Sequence, residues 1–170
     1  MIQQSFSGLT LGLLLSIAFA FLIITPLFKS FRQPFIIILA FPLGLMGVIF
    51  LMKISDTYLS IQSIMGIIMM VGISVSYGNI LIDRINNLII DGQSKTDAII
   101  NGSSERFRPI LMTAVTTIFG LLPTALSTQA GTEPNVPLAI AVIGGTFMTT
   151  LLTFYIIPIL YSFIAKKSQS

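Results

Sequence analysis

The chain has 170 residues, of which 54% are hydrophobic and only 9% charged, and its mean hydropathy is +0.96. A water-soluble domain carries about 25% charged residues, so lipid rather than water surrounds most of this surface. Cysteine and histidine are both absent, which excludes disulfides, thiolate and imidazole metal sites, and every catalytic triad built on a histidine base. No metal or cofactor is expected. The net charge of +3 comes from Lys and Arg scattered between apolar runs, not from a continuous basic patch, so nucleic acid is not an expected partner.

An apolar run of about 20 residues crosses a bilayer as a helix, because each backbone polar group must be satisfied internally there. Five such runs are predicted. The first covers about residues 9–28 and the second 35–52, joined by the basic linker Lys29-Ser30-Phe31-Arg32-Gln33-Pro34, whose proline suits a helix start. The polar turn Lys53-Ile54-Ser55-Asp56-Thr57 leads to the third run, about 59–82. The fourth covers about 109–126 and the fifth about 136–165, the last long enough to tilt. Residues 83–108 form an extended polar segment, with Asp91-Gly92 as a turn and Ser94 as an N-cap. Its Ala98, Ile99 and Ile100 beside Lys95, Asp97 and Glu105 predict a short helix on the membrane surface. The loop from Ser127 to Pro137, with Gly131 and Pro134, should be irregular. The expected fold is therefore an all-α membrane protein, one bundle of five transmembrane helices over residues 1–170 plus a short cytoplasmic surface helix.

Orientation follows from the basic residues. Lys29, Arg32, Arg84, Lys95, Arg106, Arg108, Lys166 and Lys167 fall on one side and Lys53 alone on the other, which places the larger group in the cytoplasm. The N-terminus is then outside and the C-terminus cytoplasmic, in a multi-pass membrane protein. The first residues lack a basic leader and a cleavage site, so the first run is not read as a removable signal peptide. An odd helix number with an outside start points to the C-terminal piece of a longer polytopic chain.

A charge at the bilayer centre costs about 2.5–3.5 kcal/mol on insertion scales, so intramembrane polar residues are functional candidates. In the third run Ser76, Asn79 and Asp83 recur at spacings of three and four and share a face. They either line a proton or ion path, or Asp83 sits solvated at the cytoplasmic end, alone or paired with Arg84 or another basic residue, while serines aid packing. Arg106 and Thr113, seven residues apart, also share a face able to carry protons from mid-membrane toward the cytoplasm; the alternative for Arg106 and Arg108 is positive-inside anchoring. Thr146, Thr149, Thr150 and Thr153 after Gly144-Gly145, and Gly44 and Gly47 after Pro42, are read as close helix packing by small residues. Tyr77 needs a partner for its hydroxyl.

The run from Gly72 through Ser74, Ser76, Tyr77, Gly78 and Asn79 to Asp83, the run Arg106-Phe107-Arg108-Pro109-Ile110-Leu111-Met112-Thr113, then Gly120-Leu121-Leu122-Pro123, Gly144-Gly145 and Pro158-Ile159-Leu160-Tyr161 resemble the resistance-nodulation-division (RND) multidrug efflux permeases. The likeness extends over nearly the whole chain and corresponds to the last five of that family's twelve transmembrane helices. It implies an inner-membrane, proton-driven homotrimer working with a periplasmic adaptor and an outer-membrane channel. It also implies that this chain supplies part of the proton-translocating domain, needs the remaining half of the permease, and is inactive alone. Arg106 and Thr113 match the family's relay arginine and threonine. Ser76 stands where members commonly carry a lysine that pairs with two aspartates of the other half, as in a subgroup with small polar residues there. The run from Phe107 to Thr113 points to drug or metal efflux rather than protein or lipid export. The competing expectation is a truncated, non-transporting membrane protein that acts only as an assembly partner. An intramembrane enzyme lacks its paired aspartates or serine with histidine, so no enzymatic activity is expected.

Overall fold

The computed structural model describes the backbone of residues 2–28, 32–127 and 133–166, and the side chains of 8–25, 42, 44–127 and 134–160. Lys29, Ser30, Phe31, Gly131 and Lys167 lie outside the described residues. Five long helices run in chain order: α1 Ile2–Phe28, α2 Arg32–Ile54, α3 Ile61–Ile90, α4 Lys95–Ala125 and α5 Val136–Lys166, the last preceded by a short 3-10 turn at Glu133–Asn135. No strand occurs among the described residues, as expected where only a helix satisfies its own backbone in lipid. Residues 8–25 of α1, all of α3 and α4, and Val136–Leu160 of α5 are long and apolar enough to cross a membrane, and the described part of α2 adds the apolar stretch Gly44–Ile54.

The polar segment between the third and fourth runs departs from its sequence reading. Its residues form no separate surface helix: α3 continues to Ile90, and α4 begins at Lys95 and runs on through Pro109 and Pro123. The reason is a stripe at spacings of four on α4, Ala98, Gly102, Ile110 and Ala114, which is buried and packs on α3. A Cβ on Gly102 would come within 2.9 Å of Ile85 Cγ1, so only glycine permits this approach. The Asp91-Gly92 turn and the Ser94 cap stand where the sequence places them. Gly92 takes φ +91°; its N–H donates to the Ile89 carbonyl (3.1 Å) and that of Gln93 to Leu88 (3.1 Å), which closes the C-terminus of α3 in the Schellman manner. Ser94 Oγ accepts from the Asp97 N–H at 3.2 Å and donates to Asp97 Oδ2 at 2.6 Å. At the other end of α3, Ser60 and Ser63 form a reciprocal capping box, each hydroxyl accepting from the other's N–H (3.2 and 2.7 Å).

Helix α5 is the hub. Its Thr146, Thr149, Thr150 and Thr153 are buried, and it packs on α2, α3 and α4. The α2–α5 crossing brings backbone against backbone: a Cβ on Gly47 would lie 2.5 Å from the Gly144 carbonyl oxygen, one on Gly144 2.6 Å from that of Gly47, and one on Gly44 2.6 Å from Thr149 Oγ1. Small residues that let helices touch are the expected adhesive in lipid, where apolar burial drives nothing, and the glycine–threonine stripe confirms that reading. Two apolar clusters lie at opposite ends of the bundle. One joins Ile24, Tyr77, Leu81, Ile82, Ile85, Ile110, Ala114 and Ile157; the other joins Val48, Met52, Ile67, Met70, Ile140 and Ala141. The ends that meet in each cluster are those an up-and-down chain brings to one membrane face.

Candidate functional site

The five candidate residues occupy α3 and α4, which run antiparallel through the turn at 91–94. The register of the pair is fixed by Arg84, whose Nε donates to Glu105 Oε2 at 2.5 Å, and by Gly102 against Ile85. Matching residues along this register sets Ser76 level with Thr113, and Asp83 level with Arg106. The two levels are seven residues apart, about 10 Å along the helices.

Helix α3 has two polar faces. Ser74 and Tyr77 turn inward and are each only 3% exposed. Ser76 and Asp83 lie on the opposite face, exposed in a stripe with Met65, Met69, Gly72 and Ile80, and Asn79 is half-buried at its edge. A Cβ on Gly72 would meet nothing within 4 Å, so this side of α3 has no neighbour among the described residues. Asp83 accepts a hydrogen bond from Asn87 Nδ2 at 3.3 Å, one turn along its own helix, while Arg84 takes Glu105 across the turn. Asp83 thus lies exposed two turns before the end of α3, and Arg84 pairs with Glu105.

On α4, Arg106 falls between Gly102 and Ile110 on the stripe that faces the bundle. It is half-buried, and its Nε is fully buried without a hydrogen-bond partner. Asn79 Oδ1 and Ser103 Oγ are in the same condition. A buried donor or acceptor left unpaired costs about 1–3 kcal/mol, so this end of the α3–α4 seam holds polar capacity that the described residues do not use. Phe107 stacks on Phe154 of α5, with ring centroids 4.8 Å apart, which fixes the rotation of α4 and keeps Arg106 on the seam. Thr113 is exposed and donates to the Pro109 carbonyl at 3.0 Å. Thr116 and Thr117 do likewise to Met112 and Thr113, both at 2.9 Å.

Ser103 and the Arg84–Glu105 pair were not singled out from the sequence. A partial signal was present in the small residues Ala98 and Gly102 at a spacing of four, which belong to a buried helix face and not to an interfacial one. Among the described residues no group of His, Cys, Asp or Glu could hold a metal ion.

Residues 2–165 match the AcrB/AcrD/AcrF family. The chain belongs to it. Among curated relatives, the swarming motility protein SwrC of Bacillus subtilis is 36% identical over 97% of this chain and 16% of its own length. The multidrug resistance protein MdtC of Proteus mirabilis is 32% identical over 98% of this chain and 16% of its own. A crystal structure of a heavy metal efflux pump superposes with a TM-score of 0.83 at 31% identity, covering 96% of this chain and 16% of the pump. The chain thus spans about one-sixth of the relatives it matches. The RND resemblance is confirmed, as is the all-helical, multi-pass character. The family's members are transporters, and the stretch matched here is purely helical among its described residues.

Proposed function

We propose that this chain furnishes one wall of the proton pathway of an RND-type efflux transporter that exports drugs or other small compounds, and that it acts only with the remaining helices of the permease. The observation that carries this reading is the α3–α4 seam: Ser76 and Thr113 at one level on an uncovered face, and Arg106 and Asn79 below them with buried polar atoms unpaired. A proton-driven cycle needs a group that changes charge within the membrane. Arg106 cannot be that group, since a guanidinium keeps its proton. The acid must then come from a helix outside this chain. Arg106 lowers the affinity of such an acid for protons by favouring its charged form, and Ser76, Asn79 and Thr113 offer hydroxyl and amide partners that follow the proton. Asp83, at the level of Arg106 on the exposed side, marks where the path meets water.

The remaining parts of the reading come from the family: a homotrimer in the inner membrane, coupled to a periplasmic adaptor and an outer-membrane channel. The N-terminus of this chain is outside and its C-terminus cytoplasmic, so the proton moves from the Ser76–Thr113 level toward the Asp83–Arg106 level. The relatives' names mention multidrug resistance and heavy metal efflux, and the exported compound is selected by parts of the permease outside these helices.

The test is dye export from proteoliposomes under an imposed pH gradient. The permease assembled from this chain and its remaining half should export, the chain alone should not, and Arg106→Ala should strongly reduce gradient-driven export. Gradient-driven export by the chain alone, or undiminished export by Arg106→Ala, refutes the proposal. An assembled permease that never exports favours the non-transporting assembly partner.

A further inference from the structure

On the side of α5 turned away from α3, a groove of about 560 Å³ opens between α2, α4 and α5. That volume is within the range of about 300–1,000 Å³ typical of ligand pockets. Its floor is the Gly47–Gly144 crossing, and Met46 and Phe50 of α2, Ile118 of α4 and Phe147 of α5 form its walls. The lining offers water no hydrogen-bond partners, and a water molecule needs two to four, so the groove suits a hydrocarbon chain.

The next turn of the same face of α2 carries a charge. Met46, Phe50 and Lys53 follow one another at spacings of four and three along α2, which aligns them on one helix face. Lys53 is exposed, lies in the last turn of α2, and is about 9 Å along the axis from Gly47 at the floor. Among the described residues it makes no ion pair. The groove floor is therefore at acyl-chain depth and the ammonium at the head-group level of the same leaflet, where long cationic side chains reach the interface. We infer that this groove is a phospholipid site: one acyl chain lies against the Gly47–Gly144 crossing and the lipid phosphate pairs with Lys53. Charge complementarity at the mouth selects an anionic phospholipid over an apolar helix of a partner, which would leave Lys53 without a counter-ion. The inference does not depend on proton coupling and stands or falls apart from it.

Native mass spectrometry of the whole chain in mild detergent, with phosphatidylglycerol added as the probe, tests it. One phosphatidylglycerol should be retained at activation energies that strip the others. Lys53→Gln should lower that occupancy about fivefold, the factor expected of one lysine at a charged membrane surface, and Lys95→Gln should leave it unchanged. Ile118→Trp and Met46→Trp fill the groove from opposite walls and should each reduce retention to background, so the test survives if one fails to fold by circular dichroism and elution. Unchanged retention in Lys53→Gln or in a folded filling variant overturns the inference. So does equal retention of a diacylglycerol, which has the chains without the phosphate. Phe147→Cys forming disulfide-linked dimers in membranes also overturns it, by placing a second protein helix in the groove.

Discussion

The α2–α5 crossing and the outer face of α3–α4 are built from similar residues and do opposite things. At the crossing, Gly47 and Gly144 meet at backbone distance and Gly44 meets the Thr149 side chain, and Thr150 Oγ1 donates to the Thr146 carbonyl at 2.6 Å; the close packing is completed within the chain, even though the Thr146 and Thr153 hydroxyls are buried without partners. On the outer face, Ser76 and Thr113 are exposed and Gly72 has no neighbour among the described residues, while Arg106 and Asn79 at the α3–α4 seam hold buried atoms without partners. Small and polar residues in a membrane helix thus signal close approach in general. What separates a finished seam from an unfinished one is whether the partner lies among the described residues of this chain.

The comparison can be broken most forcefully at the crossing itself. Gly47→Leu or Gly144→Leu drives a side chain into a facing backbone that cannot move aside, beyond the ~1–3 kcal/mol typical of overpacking. Loss of the monodisperse peak on heating in detergent is the expected result, well below the wild-type midpoint. Next in size is Arg106→Ala at the α3–α4 seam. Gradient-driven export by the assembled permease should fall about tenfold or more, equivalent to at least ~1.4 kcal/mol, while the thermal midpoint of the chain stays near wild type, since the lost atom has no partner to forfeit. Thr113→Val should be milder, lowering export severalfold, and Thr113→Ser should restore it, because the proposed role needs the hydroxyl and not the methyl. Two small effects sharpen the contrast. Ser74→Ala removes a buried hydroxyl that lacks a partner, so stability in detergent should hold or rise slightly. Glu105→Gln breaks an ion pair whose side chains are 31% and 48% exposed, and should lower the thermal midpoint only slightly, with the difference vanishing in high salt.

The sequence showed most of the architecture because lipid imposes it. Five apolar runs, the Asp91-Gly92 turn with its Ser94 cap, and the glycine–threonine seam were all legible, each through a local rule of hydropathy, turn chemistry or residue size. The surface helix was misplaced for a physical reason: Ala98, Gly102 and Ser103 bury a face without being strongly apolar, so the segment 83–108 read as interfacial while it extends α3 and α4. The inward face of α3 was also hidden. Ser74 and Ser76 differ only in which side they take, and a helix surrounded by apolar residues on all sides carries no hydropathy gradient to tell them apart. Likewise Arg84 choosing Glu105 over Asp83 depends on the antiparallel register, which no local pattern encodes.

The central claim is that a partner helix of the permease covers the Ser76 face. The chain has no cysteine, so Ser76→Cys introduces a single thiol there, and its reaction rate with a membrane-permeant maleimide reads the face directly. The thiol should react readily in the chain alone and be protected once the chain is assembled with the rest of the permease. Equal labelling in both states would contradict the account.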